Sequence, residues 1–328
     1  MIPVRVALDL DGALESFGDS GDALADALDT LGIDLVRLRT SGVAGPGERV
    51  APGRTLWGPW WRRSWGRSLD VLLGGVDVVH VTGLAVPPTR DARLLVSLDD
   101  LRPLRSGPRS ASRVAPLRRA VQRGAVIAVS SHVAAREVRE ALTLGRDQVR
   151  VAAPAVVAAA APTRPVDLVV NVTGVVETFR TMVPTLSSLA TRRGGRLVAI
   201  VSAAAAGHLR GVPGVVIEPR PAARRVLAGA RLALHLSDGA RFPSFAIAAL
   251  GAGVPTVARA TAVNRELLEG AARLVDDDVA VVTALDEMWD EGPARSLARA
   301  AGRTRAADFT PDAAARGYAS LYREMVGG

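Results

Sequence analysis

The sequence predicts an α/β protein built from two doubly wound, parallel-sheet domains. Short β-branched runs alternate with longer Ala/Leu/Arg segments of helical period, the pattern of stacked βαβ units. The same alternation restarts after a Pro- and Ala-rich break at residues 153–165. At 328 residues, each half is long enough to bury its own core.

In the first half, strands are expected at Val4–Leu10, Ile33–Leu38, Asp77–Thr82, Leu94–Leu98, Ala125–Ser130 and Val149–Ala152, with helices such as Ser20–Leu31 and Val133–Leu144 between them. The break from Ala153-Pro154 to Pro162-Thr163-Arg164-Pro165 reads as a linker. Beyond it, strands are expected at Asp167–Thr173, Arg196–Val201, Val215–Glu218, Arg231–Leu236, Thr256–Ala258 and Arg273–Val275. Two helices close the chain, one over Pro293–Ala307 and one opened by Thr310-Pro311, a good N-cap and N1 pair. The expected division is a first domain over 1–153, a linker over 154–165, a second domain over 166–308, and a helix over 309–328 that crosses back to the first domain. Ligands of such sheets sit beyond the carboxyl ends of strands, so a cleft between the domains is the expected site.

Composition narrows the functional classes. No apolar run is long enough to cross a bilayer, and the opening MIPVRVALDLDG leads straight into strand-like sequence, so a cytoplasmic location is expected. Without cysteine there are no disulfides or thiolate sites, and the four histidines are scattered, so neither a metal nor a cofactor is expected. All 41 basic residues are arginine and the net charge is +8. This matches GC-rich codon bias, and with no Arg-aromatic sheet motif, helix-turn-helix or basic tail, nucleic acid is not an expected partner.

The block from Ala228 to Asp276 is the most informative stretch. A strand ends at Leu236-Ser237. Ala240-Arg241-Phe242-Pro243-Ser244-Phe245 then opens a helix, which closes on Gly253-Val254-Pro255 before the next strand. This frame resembles the donor-site block of retaining glycosyltransferases of family 4. Asp77-Val78-Val79-His80, the run from Ala128 to Pro154, and Asp167–Glu177 with its Gly174 turn resemble other segments of that family. The resemblance implies the GT-B fold: two Rossmann-like domains facing across a cleft, with a nucleoside diphosphate sugar held by the second.

Measured against the resemblance, the reactive positions have changed. The family's two donor-site glutamates correspond to Ala240 and Ala248, and the glycine after the first to Arg241. Its Arg-Lys pair on the departing diphosphate corresponds to Phe179 and Arg180, and the histidine after a first-domain strand to Asp99. A glycine-rich acceptor loop corresponds to Gly12, Gly18 and Gly21, with Asp19 among them. The donor or phosphate candidates are therefore Gly174, Arg180, Asp238, Arg241, Ser244, Phe245 and Glu266, with the helix start near Phe242–Phe245 as the best place for an anion. Asp99 and His80 are the catalytic candidates. Plainer roles stand beside these: a core position for His80 and His235, a turn and helix cap for Asp99-Asp100, a first-turn acid for Glu266, a simple strand-to-helix connection for Ser237-Asp238-Gly239, and a plain turn before a Ser20-capped helix for the glycine loop.

One segment differs in character. Trp57, Trp60, Trp61 and Trp65 lie close together with Arg62 and Arg63, a mixture suited to a membrane interface or a partner surface, or to a helix packed on the first sheet. Three functional readings follow. The first is a glycosyltransferase-like protein of cell-surface glycan or glycolipid assembly that lacks ordinary donor chemistry and partners a second glycosyltransferase. The second is an active transferase with a non-standard site, and the third a membrane- or nucleic-acid-binding module on a reused fold. Expected partners are a second glycosyltransferase subunit, a nucleotide-sugar held weakly or not at all, and an anionic membrane surface or lipid-linked acceptor at the inner face of the membrane.

Overall fold

The computed structural model describes residues 4–10, 20–39, 47–50, 68–105, 107–161 and 166–327. The chain forms two compact units, one from residues 1–155 with 311–328 and the other from residues 156–310.

The first unit carries a seven-stranded parallel sheet of strands β1 (Arg5–Asp9), β2 (Asp34–Arg39), β3 (Arg49–Val50), β4 (Val78–Thr82), β5 (Arg93–Leu98), β6 (Val126–Val129) and β7 (Val149–Val151). Their order is β3-β2-β1-β4-β5-β6-β7, so the direction of winding reverses between β1 and β4. Alternate residues of each strand face opposite sides of the sheet. Ala7, Val79, Val81, Val96 and Ile127 pack with Leu117 and Val138 of the helices Gly107–Gln122 and His132–Leu142. Val6, Leu8, Val78, Leu95 and Ala128 pack on the other side with helix α1 (Ser20–Thr30) and with the last helix of the chain, Pro311–Gly327, through Tyr318, Leu321 and Tyr322. The sheet is thus covered on both faces, and its strands read as apolar runs rather than as alternating ones. The two-residue β3 carries too little pattern to be seen in the sequence.

A buried carboxylate fixes the approach to β5. Asp70, in the short helix Leu69–Leu72, accepts the backbone N–H groups of Arg90, Asp91 and Ala92 at 2.7–3.1 Å. Burial opposes its ionisation, but these bonds, with one from Val71, outweigh it and hold the carboxyl below its ordinary range. Asp70→Ala should therefore lower the stability of this unit by about 2–4 kcal/mol, because three backbone donors lose a charged partner. A chemical-denaturation curve unchanged by the substitution would show that the loop is held by other means.

The second unit carries a six-stranded parallel sheet of β8 (Asp167–Thr173), β9 (Leu197–Val201), β10 (Val216–Pro219), β11 (Ala230–Ser237), β12 (Thr256–Arg259) and β13 (Arg273–Val275), in the order β10-β9-β8-β11-β12-β13. One face, with Leu168, Val170, Val172, Leu232, Leu234 and Leu236, packs on helix α2 (Val176–Arg192) and the helix Asp278–Glu287. The opposite face turns Asn171, Thr173, His235 and Ser237 toward helix α3 (Ser244–Gly251). Register pairs Asn171 with His235 and Thr173 with Ser237, which gathers four polar residues where the winding reverses.

The expected linker over 154–165 is in part a fixed element of this unit. Val156 and Ala159 are buried, and the Val156 N–H donates to the Phe309 carbonyl at 2.8 Å. Gly251 lets the end of α3 approach Ala158 so closely that an added methyl would lie 2.9 Å from the Ala158 Cβ. Apolar side chains and a backbone bond thus override the loop-like composition of residues 156–161. The last helix belongs with the first unit, and Tyr318 and Tyr322 enter its core.

Candidate functional site

In sheets of this type, ligands bind beyond the carboxyl ends of the strands that flank the reversal of winding. Each unit has one such place.

In the second unit it lies beyond Thr173 and Ser237. Gly174 follows β8 with φ +79°, a left-handed conformation open to glycine. A methyl group there would overlap the Asp238 carboxylate, whose Cγ lies 2.5 Å from the would-be Cβ. Asp238 is held in this seat by its own turn. Its N–H donates to the Thr173 carbonyl at 3.1 Å, and its Oδ1 accepts the Ala240 N–H at 2.9 Å. The Ser237 hydroxyl accepts the Gly239 N–H at 3.0 Å.

Below the turn runs a buried polar strip. The Thr173 hydroxyl oxygen accepts from Asn171 Nδ2 and from Arg220 Nη2, each at 3.3 Å, and Asn171 Nδ2 also donates to His235 Nδ1 at 3.1 Å. In this arrangement His235 carries its proton on Nε2, which is buried with no hydrogen-bond partner among the described residues. Burial, helped by the positive charge of Arg220, pushes the His235 pKa down to about 4. The ring stacks on Phe245, with centroids 6.3 Å apart.

The other sequence-predicted donor residues divide into those near this turn and those elsewhere. Arg241 follows it, and Ser244 and Phe245 open α3. Ala240 and Ala248 are both buried, so neither offers an acceptor to a ligand. Phe179 is fully buried in the apolar core, while Arg180 beside it is half-exposed and paired with Glu177 at 2.8 Å. Glu266 lies near the end, not in the first turn, of the helix Ala262–Leu268, and its carbonyl accepts from Arg305. That helix is capped by Thr261, whose hydroxyl accepts the Asn264 N–H.

In the first unit the reversal point is a small open cavity of about 30 Å³. Asp9 at the end of β1, Thr82 of β4, Asp99 after β5, and Ser20 and Gly21 at the start of α1 line it, together with His80, Ser97 and Tyr318. Asp99, His80 and Gly21, far apart in sequence, are thus brought to one place. His80 is 2% exposed and has both ring nitrogens engaged, Nδ1 with the Tyr322 hydroxyl and Nε2 with the Ser97 hydroxyl, each at 2.7 Å. Ser97 in turn meets the Tyr318 hydroxyl at 3.2 Å, and Tyr318 donates to the Ala152 carbonyl at 3.4 Å. The carbonyl can only accept, so the chain is polarised from Tyr322 through His80 Nδ1, then Nε2–H, to Ser97, Tyr318 and Ala152. Burial pushes the His80 pKa down to about 3, and raises those of Tyr318 and Tyr322, that of Tyr318 also through the charge of Asp99. His80 is therefore a neutral ring that ties the last helix to the sheet. Any use of it as an acid or base requires breaking the bond to Tyr322 or to Ser97. Asp99 contributes a carboxylate to the cavity wall, and Asp100 caps the next short helix by accepting the Arg102 N–H at 3.0 Å.

Gly12, Gly18, Trp57, Trp60, Trp61, Arg62, Arg63 and Trp65 lie outside the described residues. Among the described residues no group of His, Asp and Glu is arranged to hold a metal ion, and no helix is long and apolar enough to cross a membrane.

No protein-family model and no curated protein matches this sequence. Solved structures do match it over nearly its whole length. Sucrose-phosphate synthase from Thermosynechococcus elongatus is 16% identical with a TM-score of 0.68, covering 99% of both chains. The catalytic domain of starch synthase IV from Arabidopsis thaliana, bound to ADP and acarbose, is 12% identical with a TM-score of 0.68, again over 99% of both chains. WaaG, a glycosyltransferase involved in lipopolysaccharide biosynthesis, is 13% identical with a TM-score of 0.67, over 99% of this chain and 100% of that one. The fold is GT-B.

The GT-B assignment rests on topology, since identities this low carry the fold alone. Arg220, Asn171 and the tyrosine pair escaped the sequence reading. Arg220 lies in a turn with no motif around it. The tyrosines left one usable signal, being the only two in the chain and four residues apart on the last helix.

Proposed function

We propose that this chain is a glycosyltransferase-like protein of cell-surface glycan or glycolipid assembly that has lost ordinary nucleotide-sugar chemistry and acts as the partner of an active transferase. The observation that carries this reading is the Asp238 carboxylate seated on Gly174. Departure of a nucleoside diphosphate requires positive charge where the leaving group gathers its negative charge. Here a fixed carboxylate occupies the reversal point, with the Arg220 guanidinium bonded to the Thr173 hydroxyl below it. Two like charges about 4 Å apart repel by ~1 kcal/mol in water and by ~4 kcal/mol at an effective dielectric constant of 20.

The neighbouring positions support the same reading. A buried methyl at Ala248 cannot accept hydrogen bonds from ribose hydroxyls, which costs on the order of a few kcal/mol against a glutamate there. Phe179 serves the core, and Arg180 is the one remaining member of the cation pair. In this proposal the chain works at the inner face of the membrane, with Trp57, Trp60, Trp61 and Trp65 as its contact with lipid or partner.

Titration with UDP-, GDP- and ADP-sugars should give neither heat nor thermal shift, and the protein should co-purify with a second glycosyltransferase. Micromolar donor binding with measurable sugar transfer would overturn the proposal. It would favour an active transferase instead, a reading supported by the Asp99 carboxylate in the cavity wall and one in which Arg180→Ala abolishes donor binding.

A further inference from the structure

The carboxylate in the turn after β11 does more than accept the N–H two residues on. Gly174 has a positive φ and no side chain, and the space this leaves beside its α-carbon is taken by the Asp238 carboxylate. The Ala240 N–H donates to the carboxylate, and the Asp238 N–H donates to the Thr173 carbonyl and holds the backbone of the turn, so the contact is built rather than incidental. Its surroundings are rich in donors. Helix α2 starts at Val176 with no side-chain cap from Val175, leaving the first-turn amides to draw negative charge. The Arg220 guanidinium reaches the Thr173 hydroxyl, one residue from Gly174, and two residues before the turn His235 has a buried Nε2–H without a partner among the described residues.

We infer that Asp238 is an internal stand-in for a ligand phosphate, an autoinhibitory group that fills the seat on Gly174 and keeps diphosphates out of it. The inference rests on the reading that donor binding has been lost, and adds a cause local enough to reverse. Removing the carboxylate vacates a space floored by glycine and leaves the guanidinium and the helix start in place. Ala240 and Ala248 would still withhold contacts from the sugar and ribose, so what returns is affinity for the diphosphate portion.

The test compares the full-length wild-type chain with Asp238→Ala, Asp238→Asn and, as a control for net charge alone, Asp276→Asn, an exposed carboxylate paired with Arg265. Inorganic pyrophosphate, UDP, GDP and ADP are titrated calorimetrically, with far-UV circular dichroism and a melting curve to establish folding. The expected result is no saturable binding by the wild type or by Asp276→Asn, and a gain of at least about tenfold for Asp238→Ala with pyrophosphate or one of the nucleotides. Asp238→Asn should fall between, because it removes the charge but keeps the bulk and the oxygen that accepts the Ala240 N–H. That variant alone carries the test if Asp238→Ala does not fold. Folded Asp238 variants that bind no better than wild type, or an equal gain in Asp276→Asn, overturn the inference and leave the loss of donor binding standing. Micromolar binding by the wild type overturns that underlying reading itself.

Discussion

Acidification from about pH 7.5 to about pH 4.5 should cost each unit roughly 2–3 kcal/mol of stability through a single histidine. His80 in the first unit and His235 in the second are buried and neutral, with pKa values of about 3 and about 4 against an ordinary 6.5. Below pH 6.5 the unfolded chain takes up a proton at each of these positions that the folded chain refuses. The stabilisation is therefore complete above pH 6.5 and falls by about 1.4 kcal/mol per histidine per pH unit until the folded pKa is reached. Domains of this size are commonly stable by only ~5–15 kcal/mol, so the loss is a large share of the whole. Asp70 works in a separate window, since its depressed carboxyl gives up stability only as the pH falls below about 3.8. Calorimetric melts across the range should show both units shifting, and His80→Gln should flatten the slope of the first unit alone while lowering its plateau. Melting temperatures independent of pH between 7.5 and 5 would show that neither ring is enclosed as described.

Ala248→Glu should be among the most damaging single substitutions in the second unit. The residue is 0% exposed, in a helix whose neighbours Phe245, Ala246, Ile247, Ala249 and Leu250 are also buried. A helix apolar on all sides has no wet face to which a carboxylate can turn. The added atoms overpack the core, and the charge lacks a partner, together about 3–5 kcal/mol. For a unit of this size that corresponds to a fall of roughly 10 °C or more in melting temperature. The resemblance to family 4 makes this substitution a natural attempt at restoring a donor contact. The packing predicts instead that it loosens the unit before any ligand can use it. A variant that melts with the wild type and binds a nucleotide-sugar would mean that the helix borders an open pocket.

The sequence told more about sheets than about side-chain partnerships. Strand β8 was legible over its full extent, Asp167–Thr173, because a central parallel strand buried on both faces is rich in β-branched and apolar residues, here Leu168, Val169, Val170 and Val172. The short edge strand Arg49–Val50 was not, because two residues hold no periodicity. At the candidate sites, Gly174 and Asp238 were singled out separately, by motif position, and only the register of β8 and β11 shows one resting on the other. The bond between His80 and Tyr322 spans 242 residues, and no local pattern announces a contact of that range. Residues 156–161 failed in the other direction. Their alanines, with prolines on either side at 154 and 162, read as a linker, yet Val156 and Ala159 are buried and the Val156 N–H bonds the Phe309 carbonyl.

The return of the last helix to the first unit has a consequence for the order in which the protein is made. A ribosome releases residues 156–310 as one uninterrupted stretch, able to complete its fold as soon as it has emerged. The unit begun first is finished later: until Tyr318 and Tyr322 leave the exit tunnel, His80 has no partner for Nδ1, and the part of the N-terminal sheet that α1 does not cover stays wet. An apolar patch of the first unit therefore stays open while residues 156–310 are being made, and the seventeen-residue helix that follows them is the piece that closes it.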